Sequence, residues 1–189
     1  MLLVENCFHW IGFHITRHLL EKGYSIDGVD DLETEKKEHL SLFVGRHNAF
    51  RHYQTMSELS EQHYNVIIRI QDHRLRLGGG RSVTVKLPFI FGEWMPIVNN
   101  SESDSRQENM PFDLDAYLRG AVYIDDLVQC LGQWIEASQL PAVMEVRSAD
   151  GPHLEGGQLE NYVYVRNNRP VLENAEKVKR HYQRYQSFY

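Results

Sequence analysis

The sequence predicts an α/β fold with three layers built around a parallel sheet. Three observations carry this expectation. Short apolar runs alternate with stretches whose apolar residues recur at helical spacing, the first two runs are joined by a helix-length connection, and residues 66–70 are apolar almost throughout, as strands buried on both faces are.

Residues 1–5 form the first strand. Residues 11–22 form a helix, with Ile11, Ile15, Leu19 and Leu20 at helical spacing and Gly23 as its stop. A second strand over 24–31 ends in Asp30 and Asp31, and a short charged helix follows over 33–43. A strand–helix–strand unit of this size implies parallel strands and a right-handed crossover. A third strand at 49–53, a short helix at 57–62 and a fourth strand at 66–70 complete the first half.

The pattern then breaks. The next strand, 83–87, follows a connection of about ten residues, too tight for a full helix. Either this strand turns back antiparallel, or a tight crossover stands where a helix was deleted. Gly78-Gly79-Gly80 and the polar run 99–109 read as loops, and 94–111 reads as irregular. A helix at 125–137 carries Leu127, Val128, Leu131, Trp134 and Ile135 as its apolar stripe, with Asp125 and Asp126 at its positive end. Strands at 142–147 and 162–165 follow, then a polar, aromatic-dotted helix from 172 to about 183.

With 189 residues the chain fits one domain, 1–92 forming a core and 93–189 a reduced C-terminal part packed on it. Apolar residues at 42% and charged ones at 24% are the composition of a globular protein. A formal net charge of −6 gives no general drive toward nucleic acid or an anionic membrane, so neither is expected as a partner. Cys7 and Cys130 lie far apart and lack metal-ligand spacing, which predicts free thiols in a reducing compartment. No run reaches the roughly 18–20 apolar residues of a membrane span, and no secretory leader pattern opens the chain. A cytoplasmic location is the expectation.

The opening of the chain resembles the NAD-dependent epimerase/dehydratase group of extended short-chain dehydrogenases: strand, glycine turn, helix, then a strand ending in an acid. That family's turn reads Gly-x-x-Gly-x-x-Gly, and here Asn6, His9 and Gly12 take the three glycine positions. The resemblance implies a Rossmann-like fold, trimmed after the fourth strand and carrying a reduced C-terminal lobe. It also implies a degenerate cofactor-binding set of Asn6, His9, Gly12 and Asp30. Asn6 tolerates a left-handed backbone, His9 places a side chain where the cofactor phosphates approach, and Gly12 keeps the helix–strand contact. Asp30 matches the acid that hydrogen-bonds the adenosine ribose; a solvated acid after a strand is the plainer reading.

Two further segments carry the likeness. Val83-Thr84-Val85-Lys86-Leu87-Pro88-Phe89-Ile90-Phe91-Gly92 is similar to the family's strand ending in Arg-Pro, with Leu87 where the arginine stands. Arg119-Gly120-Ala121-Val122-Tyr123-Ile124-Asp125-Asp126 resembles Arg-Asp-Phe-x-x-Val-Asp-Asp, which implies a diphosphate contact for Arg119, set against a surface ion pair. The family's Tyr-x-x-x-Lys pair belongs between the fourth strand and the Arg-Pro strand, and residues 71–82 contain no tyrosine. Without that pair the family's proton-transfer group is missing. The expectation is therefore a non-catalytic relative of nucleotide-sugar epimerases and dehydratases, with no cofactor, acting as a binding or interaction protein for a protein partner or a nucleotide-sugar ligand. The alternative is an enzyme or sensor that still binds NAD or a nucleotide-sugar ligand.

The remaining constellations have plain explanations beside sharp ones. His14 and His18 share a helical face at zinc-ligand spacing, but lack a third ligand nearby, and packing is the simpler role. Cys7 at a helix start reads as a buried thiol before it reads as a nucleophile with His9. The basic and aromatic run 177–189 reads as a docking tail or, more simply, as a helix anchoring its rings on its own core.

Overall fold

The computed structural model describes residues 1–71, 73–80, 82–96, 120–151 and 161–189. Within these the chain runs β1 (Leu2–Glu5), α1 (Trp10–Glu21), β2 (Ile26–Val29), α2 (Glu35–Val44), β3 (Phe50–Tyr53), β4 (Val66–Gln71), β5 (Arg74–Gly79), β6 (Val83–Lys86), β7 (Ile90–Phe91), β8 (Val122–Tyr123), α3 (Ile124–Glu136), β9 (Val143–Ser148), β10 (Tyr162–Val165) and α4 (Val171–Arg184). The main sheet has the order β10-β9-β6-β5-β4-β1-β2-β3, and β7 pairs with β8 apart from it.

This is an α/β fold with a mostly parallel sheet, compatible with a Rossmann-like arrangement. The first half follows from local signals. Residues Ile11, Ile15, Leu19 and Leu20 of α1 are buried, and Gly23 ends the helix at a φ of +86° that most other residues avoid. Thr34 caps α2 by accepting from the Lys37 amide, with Glu35 and Glu38 in the first turn, where the helix dipole favours acids. Strands β1, β2, β3 and β4 pair in parallel, with β1 between β2 and β4.

The break after β4 resolves differently from either expectation. Residues Arg74–Gly79 form β5, antiparallel to both β4 and β6, so Gly78 and Gly79 lie in a strand and not in a loop. In consequence β6 runs in the same direction as β4, and the chain needs no crossover to achieve it. β9 pairs in parallel with β6, and β10 in parallel with β9. The expected helix at 57–62 is two 3-10 turns, Met56–Glu58 and Glu61–His63, because so short a segment gains too little from helical hydrogen bonds to propagate. The polar run 99–109 lies outside the described residues.

One core joins the two halves. Ile11, Ile15 and Leu19 of α1, Leu40 and Val44 of α2, Leu127 and Leu131 of α3 and Val178 of α4 all pack into the cluster that holds Val4, Ile68, Leu75, Val85 and Val146. All four described helices thus cover the same sheet face. On the opposite face a small cluster of Leu3, Val29, Tyr64 and Ile67 is covered by Met56 and Leu59 from the 3-10 turns, so the expected third layer is not helical among the described residues. No described helix is long and apolar enough to cross a membrane.

Candidate functional site

In open parallel sheets the crevice for a ligand lies at the carboxyl ends of the strands, where neighbouring connections leave in opposite directions. Here that point is between β1 and β4. Asn6 follows β1 with φ +55°, the left-handed conformation its type tolerates, and the His9 amide donates to the Asn6 carbonyl to close the turn. The Asn6 side chain donates across the crevice to the Ile70 carbonyl at 3.0 Å. A Cβ on Gly12 would stand 2.1 Å from the Asn6 carbonyl oxygen, so only glycine lets α1 pack this closely against the turn.

Asp30 is buried behind the same turn. Its Oδ2 accepts from the Phe8 amide at 2.8 Å, and its Oδ1 pairs with Lys37 Nζ at 2.8 Å. Lys37 also holds Asp31. His52 donates from Nε2 to the Asp30 carbonyl. Both carboxylate oxygens are therefore engaged by groups of the chain itself. Lys37 could be suspected from two acids closing a strand and a lysine one helical turn into the next helix, a signal that the glycine-turn pattern overshadowed.

His9 stands at the N-cap of α1, with its Nδ1 buried and without a hydrogen-bond partner. Burial lowers its pKa to about 4, with Lys36 and Lys37 adding to the shift and Asp30 opposing it, so the ring is neutral at neutral pH. It lines a cavity of about 80 Å³ with Trp10, Ile11, Leu87, Phe89 and Met95. Ligand pockets usually enclose about 300–1,000 Å³. Cys7 is fully buried, and burial, aided by Asp30, raises its thiol well above the ordinary value. A protonated, enclosed thiol is a poor nucleophile.

A second polar cluster lies where α1, α3 and α4 meet. Tyr123 donates to Glu93 at 2.8 Å, Lys177 Nζ lies 2.7 Å from the Tyr123 oxygen and 2.9 Å from Glu93, and Asp125 lies 3.6 Å from Lys177. His14 is buried and donates to the Glu93 carbonyl at 3.0 Å, while Trp10 and Phe13 flank its ring. A tyrosine and a lysine distant in sequence thus meet in space, but the electrostatics hold the phenol protonated. Burial and the charges of Glu93 and Asp125 push Tyr123 well above its ordinary value. Glu93 is pushed up by burial but held at about 2 by Lys177 and His14. An anionic tyrosine, which proton abstraction requires, is disfavoured here.

Among the described residues no group of three histidines, cysteines or acids is placed to hold a metal. Arg119 lies outside the described residues. The run 177–189 packs onto the chain itself: Phe188 stacks on His39 at 3.9 Å, Tyr189 stacks on Trp94, and the Tyr189 oxygen accepts from the Trp94 amide at 2.6 Å.

No protein-family model matches the chain, and no curated protein matches it. The site must be argued from its own geometry.

Proposed function

We propose that the chain is a non-catalytic, trimmed relative of nucleotide-sugar epimerases and dehydratases that works as a binding or interaction protein. One observation carries the reading. The acid that would receive an adenosine ribose, Asp30, spends one oxygen on the Phe8 amide and the other on Lys37. The Asp30 side chain is 1% exposed, so a ribose would reach it only by opening the buried ion pair, and unpairing a buried charge costs several kcal/mol. The Asn6–Ile70 bond across the crevice and the small volume of the cavity beside His9, about 80 Å³, support the same reading, since neither leaves the room a dinucleotide needs.

The trimming has a concrete form in this proposal. Strand β5 occupies the stretch where the resembling family carries its Tyr-x-x-x-Lys helix, so the segment that would present the proton-transfer pair has become part of the sheet. The test is turnover by the pure, full chain. Incubation with NAD or NADP and a panel of UDP- and dTDP-sugars gives no epimerised, dehydrated or reduced product. Detectable turnover, abolished by Tyr123→Phe, would contradict the proposal.

A further inference from the structure

The sheet face turned away from the helices carries Arg69, Arg74, Arg76, Lys86 and Arg147 from β4 to β9, against one strand carboxylate among the described residues, Glu145, which stands in register with Lys86 and pairs with Arg147 at 2.8 Å. Arg69 on β4 lies directly opposite Arg76 on β5, and Arg74 on β5 lies directly opposite Lys86 on β6. Directly opposed residues bring their Cβ atoms to about 5 Å, and like charges at that spacing repel. Two such pairs sit side by side in a chain whose formal net charge is −6. Arg74, Arg76 and Lys86 are exposed and, among the described residues, make no ion pair, the Glu145 carboxylate beside Lys86 being taken by Arg147; Arg69 is held by Glu5 and Glu61. Gly78, on the same face, leaves the surface low beside Arg69.

Nothing in the fold requires these cations. The apolar side of β5 needs only Leu75 and Leu77, and any polar residue would serve on the outer side. Like charges held directly opposite destabilise the sheet, and an anion bound between them would relieve that repulsion. Farther along the same face, Tyr162 and Tyr164 project from the edge strand β10, three strand spacings or about 14 Å from β5. Tyr162 lies under the Arg147 guanidinium at 3.6 Å, and Tyr164 is 43% exposed.

We propose that this face binds single-stranded nucleic acid, with Arg74, Arg76 and Lys86 receiving phosphates and the β10 tyrosines receiving bases. Guanidinium groups match phosphate oxygens as planar forks, and flat rings set beside a cationic track stack unpaired bases. An acidic protein segment would use the cations alone, whereas bases can also stack beside the Arg147–Tyr162 pair and on the exposed part of Tyr164, so the combination favours the nucleic acid. The net negative charge describes the whole surface, whereas binding responds to the local field. The site lies on the opposite sheet face from the crevice at β1 and β4, and the inference holds whether or not that crevice takes a ligand.

The test uses the full chain and a fluorescein-labelled twelve-nucleotide oligouridine, followed by anisotropy over a salt series. Binding is expected in the micromolar range at low salt, and three phosphate contacts predict a slope of log K against log salt of about −2. The double variant Arg74→Glu, Arg76→Glu loses at least tenfold in affinity. It stays folded with an unchanged or raised melting temperature, because each new glutamate faces Lys86 or Arg69 and turns repulsion into attraction. Tyr164→Ala weakens binding about tenfold without changing the salt slope. Absence of binding at low salt, equal binding by the double variant, or equal competition by polyglutamate of matched charge would each overturn the proposal, the last in favour of an acidic protein partner.

Discussion

Lys37 reaches back from the first turn of α2 to the carboxylate of Asp30, Nζ to Oδ1 at 2.8 Å, and locks the end of β2 to the helix that follows it. The acid is almost wholly enclosed, while the lysine remains about a quarter exposed. Asp30→Ala therefore leaves the Phe8 amide without its acceptor and Lys37 with Asp31 alone, at a cost of about 2–3 kcal/mol. A chain of this size should then melt about 5–10 °C lower in a calorimetric scan. Asp30→Asn keeps an acceptor for Phe8 and loses only the ion pair, so its melting point should fall between the two.

Gly12 is fixed by contact and not by chain direction. Gly12→Ala forces a methyl group to within 2.1 Å of the Asn6 carbonyl oxygen, and α1 must shift to make room. Overpacking against backbone should cost about 3 kcal/mol in urea denaturation. A loss below about 0.5 kcal/mol would show that the helix and turn can separate freely.

Burial lowers the pKa of four histidines, His9, His14, His18 and His181, and makes stability depend on mild acid. Burial first of all holds His9 and His181 at about 4, whereas both titrate near 6.5 in an unfolded chain. Between those values the unfolded state binds more protons, so stability is full above pH 6.5 and falls as the pH drops toward 4. Glu93, held at about 2, adds a further loss only below about pH 4.5. Urea midpoints measured from pH 8 to pH 4 should be level at first and then decline, and His9→Gln should flatten the decline.

The aromatic end of the chain acts as a clasp. Tyr189 stacks on Trp94, accepts from the Trp94 amide and lies 5.0 Å beneath Lys36 Nζ. Tyr189→Ala should shift tryptophan emission to the red as Trp94 meets water, with a stability loss of about 2 kcal/mol. Tyr189→Phe keeps the stack and should lose the hydrogen bonds of the phenol to the Trp94 amide and to His181 Nδ1, about 1–2 kcal/mol.

The strands and helices of the first half were legible because each carries a local signal: the 3.6-residue period of α1, Gly23 at its end, the apolar run of β4. Strand β5 was overlooked although Arg74-Leu75-Arg76-Leu77 alternates with the period of two expected of a strand, because the three glycines beside it read as a loop. Its like-charged pairs exist only through register, which sequence does not print. Asn6, Gly12 and Asp30 were legible as positions in a pattern. What engages them was not: the Ile70 carbonyl is 64 residues from Asn6, and the partners of Tyr123 lie 30 and 54 residues away. Pairings of that range come from the fold and not from spacing.

A crevice at β1 and β4 closed by the Asn6–Ile70 bond and the Asp30–Lys37 pair should take no nucleotide. Isothermal titration of the full chain with NAD, NADP and UDP- and dTDP-sugars tests this most directly. No saturable heat is expected up to millimolar ligand. Saturable binding in the micromolar range, lost on Asp30→Ala in a variant that remains folded, would contradict it and assign Asp30 to a ligand.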